Sequence, residues 1–468
     1  MSEQPQLNTG QKALQINLDA KIYGTFAEIG GGQEAARWFF RVGGAAGTVA
    51  KTISAYDMAV SDAIYGSADR YVSRQRLQAM LDYEWDLLLQ RLDKTRGDKT
   101  SFFVFANTVA THSFSHKEEG HGWLGVRFQS QPREPSSEII IHVRMLDREN
   151  TREQEALGMI GVNLIYGACY HHSGPARLIN SLMDGLSRER IEVDMIKFSG
   201  PRFAGLDNRL MALQLVQQWL TDAAMFTAAG ETVIPGEVLY KKPVLVERGS
   251  FRPMTNPMLD MLERAEEQFG REESLKGEPP VVIMEMTLRN LQVGEAINPR
   301  DFLDRVDTLG ALGKTVLISD FLRFHRLVAY LSRYTQKPIG LPIGLTRLRD
   351  VLDEKFYTTL AGGLMESLGQ LFKNGTKMYV YPSLDRKTGK LITMENLEPP
   401  PHLRHLFAHL VENRFVEDIR QYNPDCLSVY SGDVLQQIQS GDAAWEKLVP
   451  PPIVEVIKAQ CLFAWQKR

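Results

Sequence analysis

From Pro243 onward the chain settles into one rhythm, and that rhythm limits the folds open to it. Short apolar, β-branched runs (PVLVER, PPVVIMEMTL, KTVLISDF, KPIGLPIGL, KMYVYPS) alternate with helical patterns of 12–16 residues. Two parallel strands cannot be joined by a tight turn. A helix between each pair is the standard crossover, and it takes the right-handed course. The rhythm therefore predicts βαβ units and a mainly parallel sheet flanked by helices, an α/β fold. Pro299 near the start of one helical pattern and Gly313 just past its end stand where those residues are favoured. The competing architecture is a (β/α) barrel. Eight strand candidates lie between 138 and 382, but an expected hairpin over 224–246 interrupts the alternation that a barrel needs.

The earlier chain is less regular. Residues 1–97 read as a mainly helical N-terminal region, with Ala36, Phe39 and Phe40 on one side of a helix over 33–42 and RLQAMLDYEWDLLLQRLDK (76–94) ended by Gly97. Residues 98–240 read as an α/β domain, with strands at 101–110, 123–128, 138–146 and 191–198 and helices at 151–170, 175–186 and 208–220. Residues 241–400 form the parallel βαβ domain, and 401–468, opened by EPPPHL, a helical C-terminal region.

A chain of 468 residues, 43% hydrophobic and 24% charged, has the make-up of a globular protein of two or three domains. Its net charge of −3 excludes the basic excess that bulk nucleic acid or an anionic membrane would require. Cys169, Cys426 and Cys461 lie too far apart for a disulfide framework or a zinc ribbon, which fits a reducing compartment. With no secretory pattern at the start and no long apolar run, the expected location is the cytoplasm. Self-association is compatible with all of this.

Polar residues cluster at expected strand ends: Asp194 and Lys197, Glu247 and Arg248, Glu285 and Arg289, Asp320. Ligands of open parallel sheets bind beyond the carboxyl ends of the strands. The stretch PVLVERGSFRPMTNPMLDMLERA (243–265) runs from strand through a small-residue turn into a helix. Such a turn exposes amide N–H groups beside a positive helix end and can seat a phosphate. The expected ligand-binding residues are Gly249, Ser250, Phe251, Arg252 and Thr255, with Lys242 and Arg248 (and Lys241) adding charge.

Gly44–Thr52 lacks the Gly that a P-loop needs before Lys51, and close packing through small residues is expected there. His112, His116 and His121, beside Glu118 and Glu119, are the candidate metal ligands, against the reading of a solvated loop. His402, His405 and His409 form a helix stripe, and His171-His172 a helix end.

The turn resembles the opening of the nucleotidylyltransferase superfamily, notably the nicotinate-nucleotide and pantetheine-phosphate adenylyltransferases, with their GSFxPxTxGHxD-like motif. Gly249, Ser250, Phe251, Pro253, Thr255, Leu259 and Asp260 match it, while Pro257-Met258 stands for Gly-His and Arg252 for an acidic residue. The resemblance implies a Rossmann-like sheet, a nucleotide ligand and ATP with magnesium as cofactors. Methionine can neither donate a proton nor carry charge to a phosphate, so the site implied is degenerate. Gly24–Gln33 (GTFAEIGGGQ) is a second echo, with Gly30 and Gln33 where histidines would stand; its alternative is a glycine turn before a helix. The whole chain also resembles a bacterial protein family of unassigned function. Three functions follow as expectations: a protein binding a nucleotide or phosphorylated small molecule, a non-catalytic regulatory or scaffold protein, and a metal-dependent enzyme using His112, His116 and His121.

Overall fold

The computed structural model describes residues 7–112, 119–294 and 296–466. The chain divides into two compact units, Met1–Asp222 and Ala223–Arg468. The boundary falls inside the second expected region, whose residues 223–240 belong to the C-terminal unit.

The N-terminal unit is built on a six-stranded sheet in the order Val49–Ile53, Ile22–Ile29, Ser101–Ala110, Gly120–Phe128, Ser137–Met145, Ile191–Ser199. Its first two pairings are parallel and the remaining three antiparallel. The N-terminal region is mainly helical as expected, but two of its segments are strands. Ile22–Ile29 carries two glycine-free apolar stretches around Gly24, and a Cβ on Gly24 would lie 2.3 Å from the Phe103 carbonyl oxygen. That close approach to the neighbouring strand explains a glycine where β-propensity alone disfavours one. Gly43 and Gly44 have left-handed backbones and turn the chain into Val49–Ile53; they are not a helix-packing surface. Close packing through small residues occurs instead in helix Asn150–Tyr170. There a Cβ on Gly158 or Gly161 would sit 2.9 and 2.8 Å from Glu34 and Ala35 of helix Glu34–Arg41.

The C-terminal unit holds an eight-stranded sheet. Its order is Val416–Asp418, Lys377–Tyr381, Ile339–Gly344, Val244–Arg248, Val281–Thr287, Thr315–Ser319, Ala223–Phe226, Thr232–Val233. The strands from Val416–Asp418 to Thr315–Ser319 are mutually parallel, as the rhythm predicts, and the last two are antiparallel. Neither sheet closes into a barrel among the described residues. The expected hairpin over 224–246 is shorter than its sequence range: only Ala223–Phe226 and Thr232–Val233 pair, and the next strand goes to the middle of the sheet.

Counted along the chain, the parallel strands lie in the order 6-5-4-1-2-3. The first three grow outward on one side, and the chain then returns to lay Ile339–Gly344 against the other side of Val244–Arg248. Val244 and Val246 join a core cluster with Ile283, Leu317, Leu341 and Val380. Side chains alternate along a strand, so Glu247 points to the opposite face. It is fully buried, and neither carboxyl oxygen has a hydrogen-bond partner. Burial raises its pKa well above the ordinary value, opposed only by the charge of Lys314. A raised folded-state pKa gives stability that is complete below the unfolded value and lost as pH rises through the folded one. Thermal melts of the wild type and Glu247→Gln across pH 5–9 are therefore expected to diverge as pH rises, the variant being the more stable at high pH, with a slope of at most about 1.4 kcal/mol per pH unit. Parallel pH profiles would contradict this assignment.

Candidate functional site

The reversal of strand order between Val244–Arg248 and Ile339–Gly344 opens a crevice at the carboxyl edge of the sheet, because the connections leaving these two strands depart in opposite directions. The predicted turn Gly249–Thr255 follows the first of these strands, so its position in the fold is the one that the sequence argument needs. Its local structure differs from the expected open loop. Phe251, Met254 and Thr255 are buried. Phe251 adopts a left-handed backbone and lays its ring over Gly249, where a Cβ would lie 2.7 Å from the ring. The Ser250 carbonyl accepts a hydrogen bond from Arg305 Nη1 at 3.1 Å, while its hydroxyl makes none among the described residues.

The helix that follows, Asn256–Gly270, has its first amide engaged. Asn256 N donates to the Leu448 carbonyl at 3.0 Å, and its side chain donates to the Lys447 carbonyl at 2.9 Å. Chain carbonyls thus lie where a phosphate was expected. Asp260 of the motif accepts from the Tyr381 hydroxyl at 2.6 Å and from Asn423 N at 2.8 Å.

The expected cations separate into three groups. Lys241 and Lys242 precede the strand and lie at its opposite end from Gly249, so they do not join the turn; Lys242 pairs with Glu278 at 3.2 Å. Arg252 is held by Asp301, which also binds the buried Arg305. Arg248 forks onto Glu285 of the adjacent strand, with Nε and Nη2 2.7 and 2.8 Å from the two carboxylate oxygens, and stacks 4.4 Å above the Phe324 ring. Ser319 of the third strand donates to the same carboxylate at 2.5 Å. Three strand ends that the sequence marks as polar or small are thereby tied together. Arg289 of that group stays exposed.

Beside Arg248 lies a cleft of about 40 Å³ whose walls include Arg323, Phe324, Arg347, Asp350 and Tyr357. Arg323 stands just before helix Phe324–Leu331, and Arg347 lies in the first turn of helix Leu345–Leu352. Neither helix start has a side-chain cap. The Arg323 guanidinium makes no ion pair or hydrogen bond among the described residues; it lies 3.8 Å over the Phe356 ring. Arg347 reaches Asp350 at 3.3 Å on the solvent side. Sequence reading missed both residues because neither belongs to the strand-end motif. The run KPIGLPIGLTRLRD, a strand entering a helix start with basic residues in its first turns, carried the signal. Larger hollows lie elsewhere, such as a groove of about 690 Å³ bordered by Leu7, Leu14, Leu18 and Tyr170, without converging arginines.

The histidines fall apart similarly. His116 and Glu118 lie outside the described residues. His112 and His121 end up in different settings. The backbone N of His112 donates to Glu153 at 2.9 Å, and its Nδ1 lies 3.9 Å from the other oxygen of this buried carboxylate. His121 Nδ1 lies 3.3 Å from His142 Nε2, and His142 Nδ1 lies 2.6 Å from Asp194. A register shift beside His142 aims Asp194 at it. No group of three potential metal ligands occurs among the described residues. His402 reaches Glu354 at 3.1 Å on the surface, and His172 closes its helix end on the Ala168 carbonyl. The Gly24–Gln33 echo is strand as far as Ile29 and then a glycine turn: Gly30 and Gly32 are left-handed, and Glu28 accepts from the amides of Ala35 and Ala36 to cap the next helix. Burial outweighs these donors and pushes the Glu28 carboxyl up to about 7.

No family model matches the chain, and no curated protein matches it. Among solved structures, the chain is similar to a competence/damage inducible protein, CihA, from Agrobacterium tumefaciens, at 18% identity and a TM-score of 0.26, over 35% of this chain and 97% of that one. A CinA superfamily protein from Klebsiella pneumoniae matches at 14% identity and a TM-score of 0.27, over 35% and 99%. One from Enterobacter cloacae matches at 12% and 0.26, over 36% and 96%. A likeness at this level carries no argument about this chain. No helix among the described residues is long and apolar enough to cross a membrane.

The Arg248–Glu285 pair is almost wholly buried, so removing one partner strands the charge of the other. Arg248→Ala is expected to cost about 3–5 kcal/mol in denaturant unfolding, and adding Glu285→Gln to recover a large part of that loss. Additive effects of the two substitutions would contradict the pairing.

Proposed function

We propose that the C-terminal unit binds a phosphorylated small molecule or nucleotide in the crevice at the carboxyl ends of Val244–Arg248 and Ile339–Gly344. One observation carries the reading: Arg248, Arg323 and Arg347 line a single cleft where the strand order reverses. Anions are favoured there on two grounds. Guanidinium forks match phosphate oxygens in geometry and charge. The uncapped starts of helices Phe324–Leu331 and Leu345–Leu352 add partial positive charge.

The centre of the expected site moves accordingly. Gly249–Thr255 does not line this cleft, and its Ser250 carbonyl is taken by Arg305. The adenylyltransferase-like reading is retained only as nucleotide-class binding. Met258 stands where a histidine would assist the phosphate, and the cleft offers no other imidazole among its named walls. Binding without a group-transfer step is thus what the side chains support.

Calorimetric titration of ATP, nicotinamide mononucleotide and phosphopantetheine at low salt is expected to show saturable binding of at least one. Arg347→Ala, at an exposed position, is expected to weaken it about tenfold, or about 1.4 kcal/mol, without lowering the melting temperature. Absence of binding by all three would contradict the reading.

A further inference from the structure

Resting on that reading, we infer that the crevice takes the terminal oxyanion of a phosphomonoester, and that the rest of the ligand stays outside it. Size comes first. A buried water needs roughly 10–15 Å³ of free space, so a cleft of about 40 Å³ has room for about three water-sized groups. That is the scale of one tetrahedral oxyanion. Pockets that enclose whole drug-sized ligands run to about 300–1,000 Å³.

The neighbouring turn is closed to a pyrophosphate. In a dinucleotide site, glycines at the first turn let the backbone approach a pyrophosphate. Here the Phe251 ring closes over Gly249, and the Lys447 and Leu448 carbonyls hold the start of the following helix. A diphosphate bridge laid along this turn would meet the aromatic ring and two carbonyl oxygens. The acidic group at the end of the second strand, Glu285, is also committed to Arg248 and Ser319.

The charge is suited to a dianion. Arg248 is neutralised by Glu285, whereas Arg323 feels the charge of Asp353 but makes no direct ion pair among the described residues and is oriented by the Phe356 ring. Arg347 has only Asp350, at 3.3 Å between side chains 55% and 42% exposed, a contact of the kind that contributes little. An arriving phosphomonoester presents three terminal oxygens and close to two negative charges to these guanidiniums. Each phosphate of a dinucleotide's bridge has two terminal oxygens and one charge, with substituents on both sides. The expected ligands are sugar phosphates and nucleoside monophosphates, or longer nucleotides held by their last phosphate.

Competition calorimetry on the full chain with AMP, ribose 5-phosphate, inorganic phosphate and NAD separates the possibilities. AMP and ribose 5-phosphate are expected to bind within about threefold of each other, inorganic phosphate to displace both, and NAD to bind at least about tenfold more weakly. Arg323→Ala is expected to weaken AMP by about tenfold or more, and Phe356→Leu, which keeps the charge but frees its orientation, by less. NAD binding as tightly as AMP, or failure of inorganic phosphate to compete, would overturn this inference while leaving nucleotide binding intact. If none of the four binds, the underlying reading fails with it.

Discussion

The carboxyl end of Val244–Arg248 is the point on which the C-terminal unit turns. Strands are added on one side until Thr315–Ser319, and then the chain must cross back to start again on the other side. Right-handed crossovers put the returning helices on the opposite face, which leaves two sets of connections parting above one strand end. A polar residue placed there sits in a gap that the fold itself creates. Arg248 fills part of the gap, and its fork onto Glu285 reinforces the register that the backbone ladder sets between the two neighbouring strands.

That commitment shapes the chemistry. A buried arginine paired with a buried glutamate contributes orientation more than net charge. The excess positive charge comes from Arg323 and Arg347, carried by the loops and helices that follow later strands. Aromatic rings act as their supports: Phe324 under Arg248 and Phe356 under Arg323. The N-terminal unit uses its buried ionisable groups differently. Glu28 caps a helix, Glu153 holds the His112 backbone, and Asp194 orients His142 toward His121.

Much of the parallel sheet was legible because βαβ units repeat a local pattern. The runs VVIMEMT and TVLIS are buried strands in sequence and in space. Ile22–Ile29 and Val49–Ile53 were illegible because glycine and alanine dilute their pattern, and their strand character comes from pairing with residues 101–108 and with each other. The order of the strands is a long-range property that no local window contains. The same limit applied to the site. Arg248, Arg252 and Ser250 were identifiable by type, but their partners Glu285, Asp301 and Arg305 lie 37, 49 and 55 residues away. Charge counted along the sequence therefore overstated the charge available at the turn. Lys242 shows the same error in another form: near Gly249 in sequence, it is separated from it by the length of a strand.

On the proposed reading, an anionic group sits between Arg323 and Arg347 at the reversal of strand order. Arginine Nε–Hε resonances, followed by nitrogen–proton NMR during titration with AMP, test this most directly. Those of Arg323 and Arg347 are predicted to move together and saturate at a common ligand concentration, while that of Arg252, held by Asp301, stays in place. Saturation of AMP binding with both resonances unmoved would contradict it.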